Sequence, residues 1–469
     1  MNALLARIRE GKSMTVAQQV KLTIQLSTPA MIAQLSSIIM QYIDAAMVGQ
    51  LGAEGAASIG LISTTTWLFG GLCSSVASGF SVQVAHKIGA NDAKGAREVL
   101  RQSITATLLF STLLAIIGIG ISPFLPGWLG GDPLIHGDAS VYFFIFSLFL
   151  PTLQISFLSS SMLRCSGNMR IPGILGVLMC VLDVVFNFLL IFPTHRWQIA
   201  GGTLILPGAN LGVMGAALGT AAAEALVAAI ALWYACTRSK ELSLRTEPGR
   251  FLPTRRVLRK ALHIGLPMGL EHSFICGAMI VTTIIVAPLG IYAIAANSFA
   301  VTAESLCYMP GYSLADAATT LVGQSIGAKR RKLTRSFAYI TVALGMLIMG
   351  ALGILMYIFA PEIIGLMTPV EEIRELGATS LRIEAFAEPM FAASIVAYGV
   401  FVGAADTFVP CIMNFVSIWA VRLTLSAMLA PTMGLPGVWT AMCIELCFRG
   451  IIFLVRLKQE KWMNKLLKQ

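Results

Sequence analysis

Residues 29–52 read PAMIAQLSSIIMQYIDAAMVGQLG, and residues 267–290 read PMGLEHSFICGAMIVTTIIVAPLG. Each stretch opens on a proline, stays largely apolar and closes on Leu-Gly, so Pro29 matches Pro267 and Leu51-Gly52 matches Leu289-Gly290. The copies lie 238 residues apart (267 − 29), and the offset persists without a gap. Ile88-Gly89-Ala90 meets Ile326-Gly327-Ala328, Pro151 meets Pro389 and Pro172 meets Pro410. One offset shared by so many prolines and glycines marks an internal duplication. Both halves are strongly hydrophobic, so the fold class is an all-α integral membrane protein built twice. Parallel repeats of this kind place a binding site between two similar bundles in many secondary transporters.

Composition agrees. Charged residues make up 12% of the chain and hydrophobic ones 56%, against about 25% charged in a soluble domain. Residues 1–20 carry Arg7, Arg9 and Lys12 without an apolar core, so they read as a short amphipathic surface segment and not as a cleaved signal. Most of the nine cysteines (Cys73, Cys180, Cys276, Cys443 and Cys447 among them) sit in apolar runs, without the spacing of a metal site. They read as small hydrophobes in helices.

A span needs about 20 apolar residues. Twelve candidates emerge, near residues 25–49, 57–83, 102–122, 140–163, 171–193, 209–236, 262–287, 295–318, 336–359, 377–402, 409–430 and 436–455. They form two six-helix bundles related by a pseudo-twofold axis along the membrane normal. The expected division is residues 1–236 for the first bundle with its N-terminal segment, 237–261 for a basic linker, 262–455 for the second bundle and 456–469 for a tail. Of the 33 Lys and Arg, Arg196 and Arg374 fall in loops of one side, and Arg382, Arg422 and Arg449 within spans. All the others lie on the opposite side, which the positive-inside rule makes cytoplasmic, with both termini. That distribution also accounts for the net charge of +10 without nucleic acid as a partner.

Ionisable groups inside a bilayer are costly and mark function. Asp44, in the first span, has only Ile43, Ala45, Ala46 and Met47 around it and suits reversible binding of a proton or cation. Asp183 and Asn187 in the fifth span, like Thr220 and Glu224 in the sixth, are four apart and share a helix face. These five are the candidate coupling residues, with Asp44 and Asp183 the candidate ligands of Na+, a hard cation suited to oxygen. In the second half Glu271 and Glu304 lack a cation nearby in sequence and are candidates for a cavity that attracts cationic substrates. Met268 and Tyr308 would add adaptable apolar contacts. Arg422 requires an acid such as Glu384, Glu388 or Glu445, and Glu445 is also four residues from Arg449. Arg422 and Glu445, with the matched prolines Pro29 and Pro267, are the expected structural or hinge positions. The acids do not recur at the 238 offset: Asp44 faces Thr282, Asp183 faces Val421, Glu271 faces Ala33 and Glu304 faces Thr66. The halves share a framework and differ in chemistry.

Five motifs occur in order along the chain: Ile43-Asp44-x3-Val48-Gly49-x-Leu51-Gly52, Ile88-Gly89-Ala90, Leu321-Val322-Gly323-Gln324-x-Ile326-Gly327-Ala328, Gly403-x2-Asp406-Thr407-x2-Pro410 and Gly437-Val438-Trp439. On a duplicated twelve-span chain this set resembles the multidrug and toxic compound extrusion (MATE) family of secondary transporters, with the overall pattern closer to its DinF-like bacterial branch. The resemblance implies that Asp44 is the first-span aspartate of ion coupling and that Thr220 is a polar position near the same site. Family members often carry Asn then Asp, four apart, on the fifth span. Here Asp183 precedes Asn187, which moves the carboxylate about one turn, roughly 5.4 Å, along the same face. Glu271 lies near an acid used by the family's other branch.

The reading is a secondary active multidrug efflux transporter of the bacterial inner membrane. It would be a monomer that antiports amphipathic organic cations against H+ or Na+ and needs no other cofactor. A lipid-linked oligosaccharide flippase of the same superfamily is the nearest rival, although its pyrophosphate would want a cationic cavity. A membrane-embedded enzyme is the rival from another class. The chain has no DDxxD-like stretch, nucleophile elbow, HExxH or phosphate loop, and no catalytic residue is assigned.

Overall fold

The computed structural model describes residues 2–199 and 202–463. A short helix α1 (Asn2–Arg9) precedes the first six spans. These are α2 (Val16–Gly49), α3 (Ala53–Gly89), α4 (Ala93–Ile121), a bent pair, α8 (Arg170–Ile191) and α9 (Val213–Thr237). The turn α5 (Leu125–Trp128) leads into that pair, α6 (His136–Leu148) and α7 (Leu150–Cys165). The second six are α10 (Arg255–Val286), α11 (Ile291–Gly327), α12 (Arg331–Gly365), the pair α13 (Glu371–Ala385) and α14 (Glu388–Gly403), a broken span, and α17 (Leu435–Gln459). The broken span is α15 (Phe408–Phe415) and α16 (Leu423–Met433), joined through a π-helical turn over Val416–Arg422. Among the described residues nine helices are long enough and apolar enough to cross a membrane, and the two bent pairs make eleven. The twelfth, α11, is 37 residues long and less apolar, its small residues being buried against neighbouring helices. Twelve helices in two bundles is the expected architecture.

The repeated motifs now have physical meanings. Pro151 and Pro389 each stand at the start of a helix, and the preceding helix ends there with bends of 49° and 60°. Proline has no N–H to donate and disfavours helix in the residue before it. Pro29 and Pro267, the expected hinges, lie inside α2 and α10, which continue through them. Gly52 (φ 96°) and Gly290 (φ 105°) take the same left-handed turn at the starts of α3 and α11, a conformation open to glycine.

Gly89 and Gly327 make the junction between bundles. A Cβ on Gly89 would overlap the Gln324 carbonyl, and one on Gly327 would overlap the His86 carbonyl. His86 and Gln324 are themselves matched at the 238 offset, so α3 and α11 cross through a reciprocal, twofold-related contact of bare backbone. His86 Nε2 lies 2.7 Å from the Gly403 carbonyl, and Gln324 Nε2 donates to the Cys165 carbonyl at 2.9 Å, both across the junction. The α1 segment covers this crossing. Leu5 and Ile8 are buried against Leu22 and Leu26 of α2, Ala317 and Leu321 of α11, and Leu333 and Phe337 of α12. Arg330 Nη1 donates to the Arg7 carbonyl at 2.9 Å, and Arg9 pairs with Glu241 at 2.5 Å.

Three details differ from a reading by spans alone. The loop between the fifth and sixth spans is an antiparallel hairpin of β1 (Pro193–Ile199) and β2 (Gly202–Ala209). The stretch expected as a linker, 237–261, becomes helical at Arg255, and Arg101 of α4 donates to its Leu244 and Glu247 carbonyls. The expected tail begins inside α17, and Trp462 is buried with its Nε1 donating to Leu457.

Candidate functional site

Three helices of the first bundle bring the candidate coupling residues together. Glycines permit the approach: a Cβ on Gly173 of α8 would press on Pro29 of α2, and one on Gly176 would press on Ala33. On α9, Gly215 and Gly219 form a small-xxx-small face toward α8, and a Cβ on Gly219 would overlap the Asn187 side chain. Asn187 is the hub. Its Nδ2 donates to Asp44 Oδ1 at 3.1 Å and to Asp183 Oδ2 at 3.2 Å, with Thr220 Oγ1 at 3.5 Å. Asp183 is fully buried and Asn187 nearly so.

The cluster is short of positive charge. Among the described residues neither Asp44 nor Asp183 is paired with Lys, Arg or His, and the buried Asp183 Oδ1 and Asn187 Oδ1 have no hydrogen-bond partner. Buried oxygens of that kind are costly unless a donor or cation reaches them. Two carboxyls, an amide and a hydroxyl form an oxygen-rich setting that a proton or a small hard cation would satisfy. Glu224 lies one turn beyond Thr220, and both line a small cavity of about 80 Å³ with Tyr142, Phe146, Phe149 and Leu153.

The second bundle holds three polar groupings. Glu271 of α10 accepts from Asn414 of α15 at 2.8 Å and is buried. Glu304 of α11 meets Glu384 and Glu388 of the α13–α14 bend, with one oxygen of each within 4.8 Å of the others. Both oxygens of Glu384 and of Glu388 are buried without a partner. Glu445 of α17 lies between two guanidinium groups. Arg422 reaches it at 2.6 Å, Arg449 at 2.7 Å, and Ser417 donates at 2.6 Å. Removing one member of such a buried set leaves an uncompensated charge, at a cost of about 3–5 kcal/mol. Arg422 and Ser417 both belong to the π-helical turn, a distortion that recurs at functional positions. Tyr308 packs edge-on to Tyr312 and Phe391, and Met268 lies beside Val82, Ile264 and Val402 at the junction.

Asn414 and Ser417 carry no sequence-based assignment. Asn414 had a signal: it follows Glu271 by 143 residues, the separation of Asn187 from Asp44. Ser417 had none, since one serine in an apolar span resembles any other.

A family model, MatE, matches the chain twice, over residues 29–189 and 267–428. The chain belongs to the MATE family of transporters. The two matches open on Pro29 and Pro267, the prolines that define the duplication. Similar relatives of this MATE-family chain include the probable multidrug resistance protein NorM of Thermotoga maritima, 25% identical over 94% of this chain and 93% of its own. The multidrug resistance protein MdtK of Yersinia pestis is 24% identical over 94% of each chain. A solved structure of the Vibrio cholerae MATE transporter VcmN shares the fold with a TM-score of 0.87 at 19% identity, covering 97% of this chain and 99% of that one.

Proposed function

We propose that this MATE-family protein is a multidrug efflux antiporter that couples export of amphipathic organic cations to inward movement of H+ or Na+. The observation that carries the coupling role is the bridge from Asn187 to both Asp44 and Asp183, with two buried oxygens left unpartnered beside it. A bound proton or Na+ supplies the missing charge. Its departure leaves the buried Asp183 carboxyl facing the half-buried one of Asp44, a state that a rearrangement of α2 against α8 relieves. That difference in ion affinity between conformations is what drives an alternating cycle. Export as the task follows the relatives named for multidrug resistance.

The substrate side is assigned to the second bundle. Within the spans of that bundle, Glu271, Glu304, Glu384, Glu388 and Glu445 outnumber Arg382, Arg422 and Arg449 and favour a cation over a pyrophosphate-bearing lipid. In the orientation set by the basic loops, the α3–α11 crossing closes the cytoplasmic end, and closure under α1 makes this the outward-facing state. Both termini are then cytoplasmic, the membrane is the bacterial inner membrane, and one chain is the working unit. Reconstituted protein with Na+ and pH gradients imposed separately tests the whole reading. An organic cation moving against inward flow of one ion supports it. Movement driven by neither gradient overturns it.

A further inference from the structure

A groove runs along the membrane-facing side of the second bundle between α15 and α17, with a volume of about 330 Å³. Ile412, Met413, Val416, Phe448, Ile452 and Val455 line it, and Arg456 and Gln459 close one end. On α17 the lining residues Phe448, Ile452, Val455 and Gln459 follow the three-to-four spacing of one helix face. Phe448 to Gln459 is eleven residues, about 16 Å of helix, close to half of the roughly 30 Å hydrocarbon core. The groove is therefore as deep as one leaflet.

Basic residues stand at and beyond its polar end. Arg456 bonds Asp406 and lies over the Phe401 ring at 5.7 Å, with its Nε buried and unpartnered. Lys458, two residues further along α17, and Lys461, just past its end, lie outside the lining, are exposed and have no acid partner among the described residues. The nearby acid Glu460 is taken up by Arg331 and Arg335. An apolar channel one leaflet deep under a basic rim matches the two ends of an anionic phospholipid.

We infer that this groove is a binding site for an anionic phospholipid, one acyl chain lying between α15 and α17 and the headgroup phosphate held by Lys458 and Lys461 beside the Arg456–Asp406 pair. The site depends on membrane insertion alone and holds whichever way the transporter faces. The proposed orientation merely makes the lipid one of the inner leaflet. Val416, on the groove wall, opens the π-helical turn that ends at Arg422, so the lipid lies against the break in that span.

Native mass spectrometry of the purified full chain, offered equal amounts of phosphatidylglycerol and phosphatidylcholine, tests the site. The expected result is retention of phosphatidylglycerol in preference to phosphatidylcholine. Lys458→Gln with Lys461→Gln should reduce that preference about five-fold per lysine removed. Ile452→Trp should abolish retention by filling the groove. Val455 is half exposed to the membrane face, so Val455→Trp makes the same test if Ile452→Trp does not fold. Equal retention of the two lipids by the unmodified chain, or undiminished phosphatidylglycerol retention by the folded variants, overturns the proposal. Neither result touches the ion-coupled export reading.

Discussion

Each bundle joins its first and fifth helices by an acid bonded to an asparagine, but at different depths. In the first bundle the pair is Asp44 with Asn187, and in the second it is Glu271 with Asn414, each 143 residues apart. The pairs are related by an offset of 227 (271 − 44 and 414 − 187), eleven short of the 238 that relates the helices themselves. Eleven residues are three helical turns, about 16 Å. The acids thus recur as a linkage between the same helices, displaced across the membrane by those turns, although no acid recurs at the 238 offset itself. Asp44 stands far toward the end remote from the α3–α11 crossing, whereas Glu271 lies one turn past Pro267. The environments differ too. Asp183 joins Asp44 in the first bundle, whereas in the second Asn414 bonds Glu271 and the Tyr398 hydroxyl stands beside the same carboxyl.

Neutralising the two acids should separate them most strongly. Asp44→Asn should reduce export of a fluorescent cation to the level of cells lacking the protein, at matched amounts in the membrane. Glu271→Gln should leave export measurable and weaken a cationic drug about 5- to 150-fold, as expected for a lost buried charge contact worth about 1–3 kcal/mol. A neutral ligand of similar shape should be affected less. Equal behaviour of the two variants would mean that both pairs do the same work.

The crossing that unites the bundles gives the next largest effect. Gly89→Ala places a methyl against the Gln324 carbonyl where no side chain can yield, so thermal unfolding in detergent should show a loss of about 1–3 kcal/mol or more. Gly327→Ala should match it, since the contact is reciprocal. A loss at one glycine and not the other would break the twofold reading.

Within the first bundle, the order Asp183 then Asn187 can be exchanged. Asp183→Asn alone removes one carboxyl from the hub, and adding Asn187→Asp returns it one turn away on the same face. Export by the double variant above that of Asp183→Asn shows that the face, rather than the position, sets the site. Export no better than the single variant shows the reverse.

The smallest effect lies outside the membrane. Asp92 caps α4, accepting from the Gly95 amide at 2.8 Å, and Lys87 lies at 3.0 Å. Those bonds hold its carboxyl below its ordinary value despite partial burial. A carboxyl lowered on folding adds stability above its unfolded pKa of about 4, and loses it as pH falls through the folded value. The matched residue, Arg330, begins α12 without a side-chain cap and instead binds the end of α1. Asp92→Ala should therefore cost about 1 kcal/mol at neutral pH, and Asp92→Asn should keep most of the cap while flattening the acid limb of a melting-temperature profile. An unchanged acid limb in Asp92→Asn would assign that pH dependence elsewhere.

The twelve spans and the duplication were legible because both are local: an apolar run of fixed length, or a proline at a fixed offset, can be read without knowing what it touches. Pro151 and Pro389 show where this ends. In sequence they look like Pro29 and Pro267, yet one pair breaks its helices and the other does not. The hairpin was missed although Gly201-Gly202 is a turn dipeptide, because its strands are short and lie between two strong helix signals.

The sequence by itself determined the membrane class, the twofold plan, the basic side and the membership of Asp44, Asp183, Asn187 and Thr220 in a set of polar residues within spans. Tertiary structure alone decided that Asn187 bridges two aspartates, that Arg422 chooses Glu445 and that Glu304 meets Glu384 and Glu388. The reason is distance along the chain. Hydrophobic length and helical spacing act over a few turns and reach pairs such as Asp183–Asn187 and Glu445–Arg449, whereas Asp44 and Arg422 find their partners on other helices, 143 and 23 residues away. Which of them meet depends on how glycines such as Gly173, Gly219 and Gly89 let the helices approach.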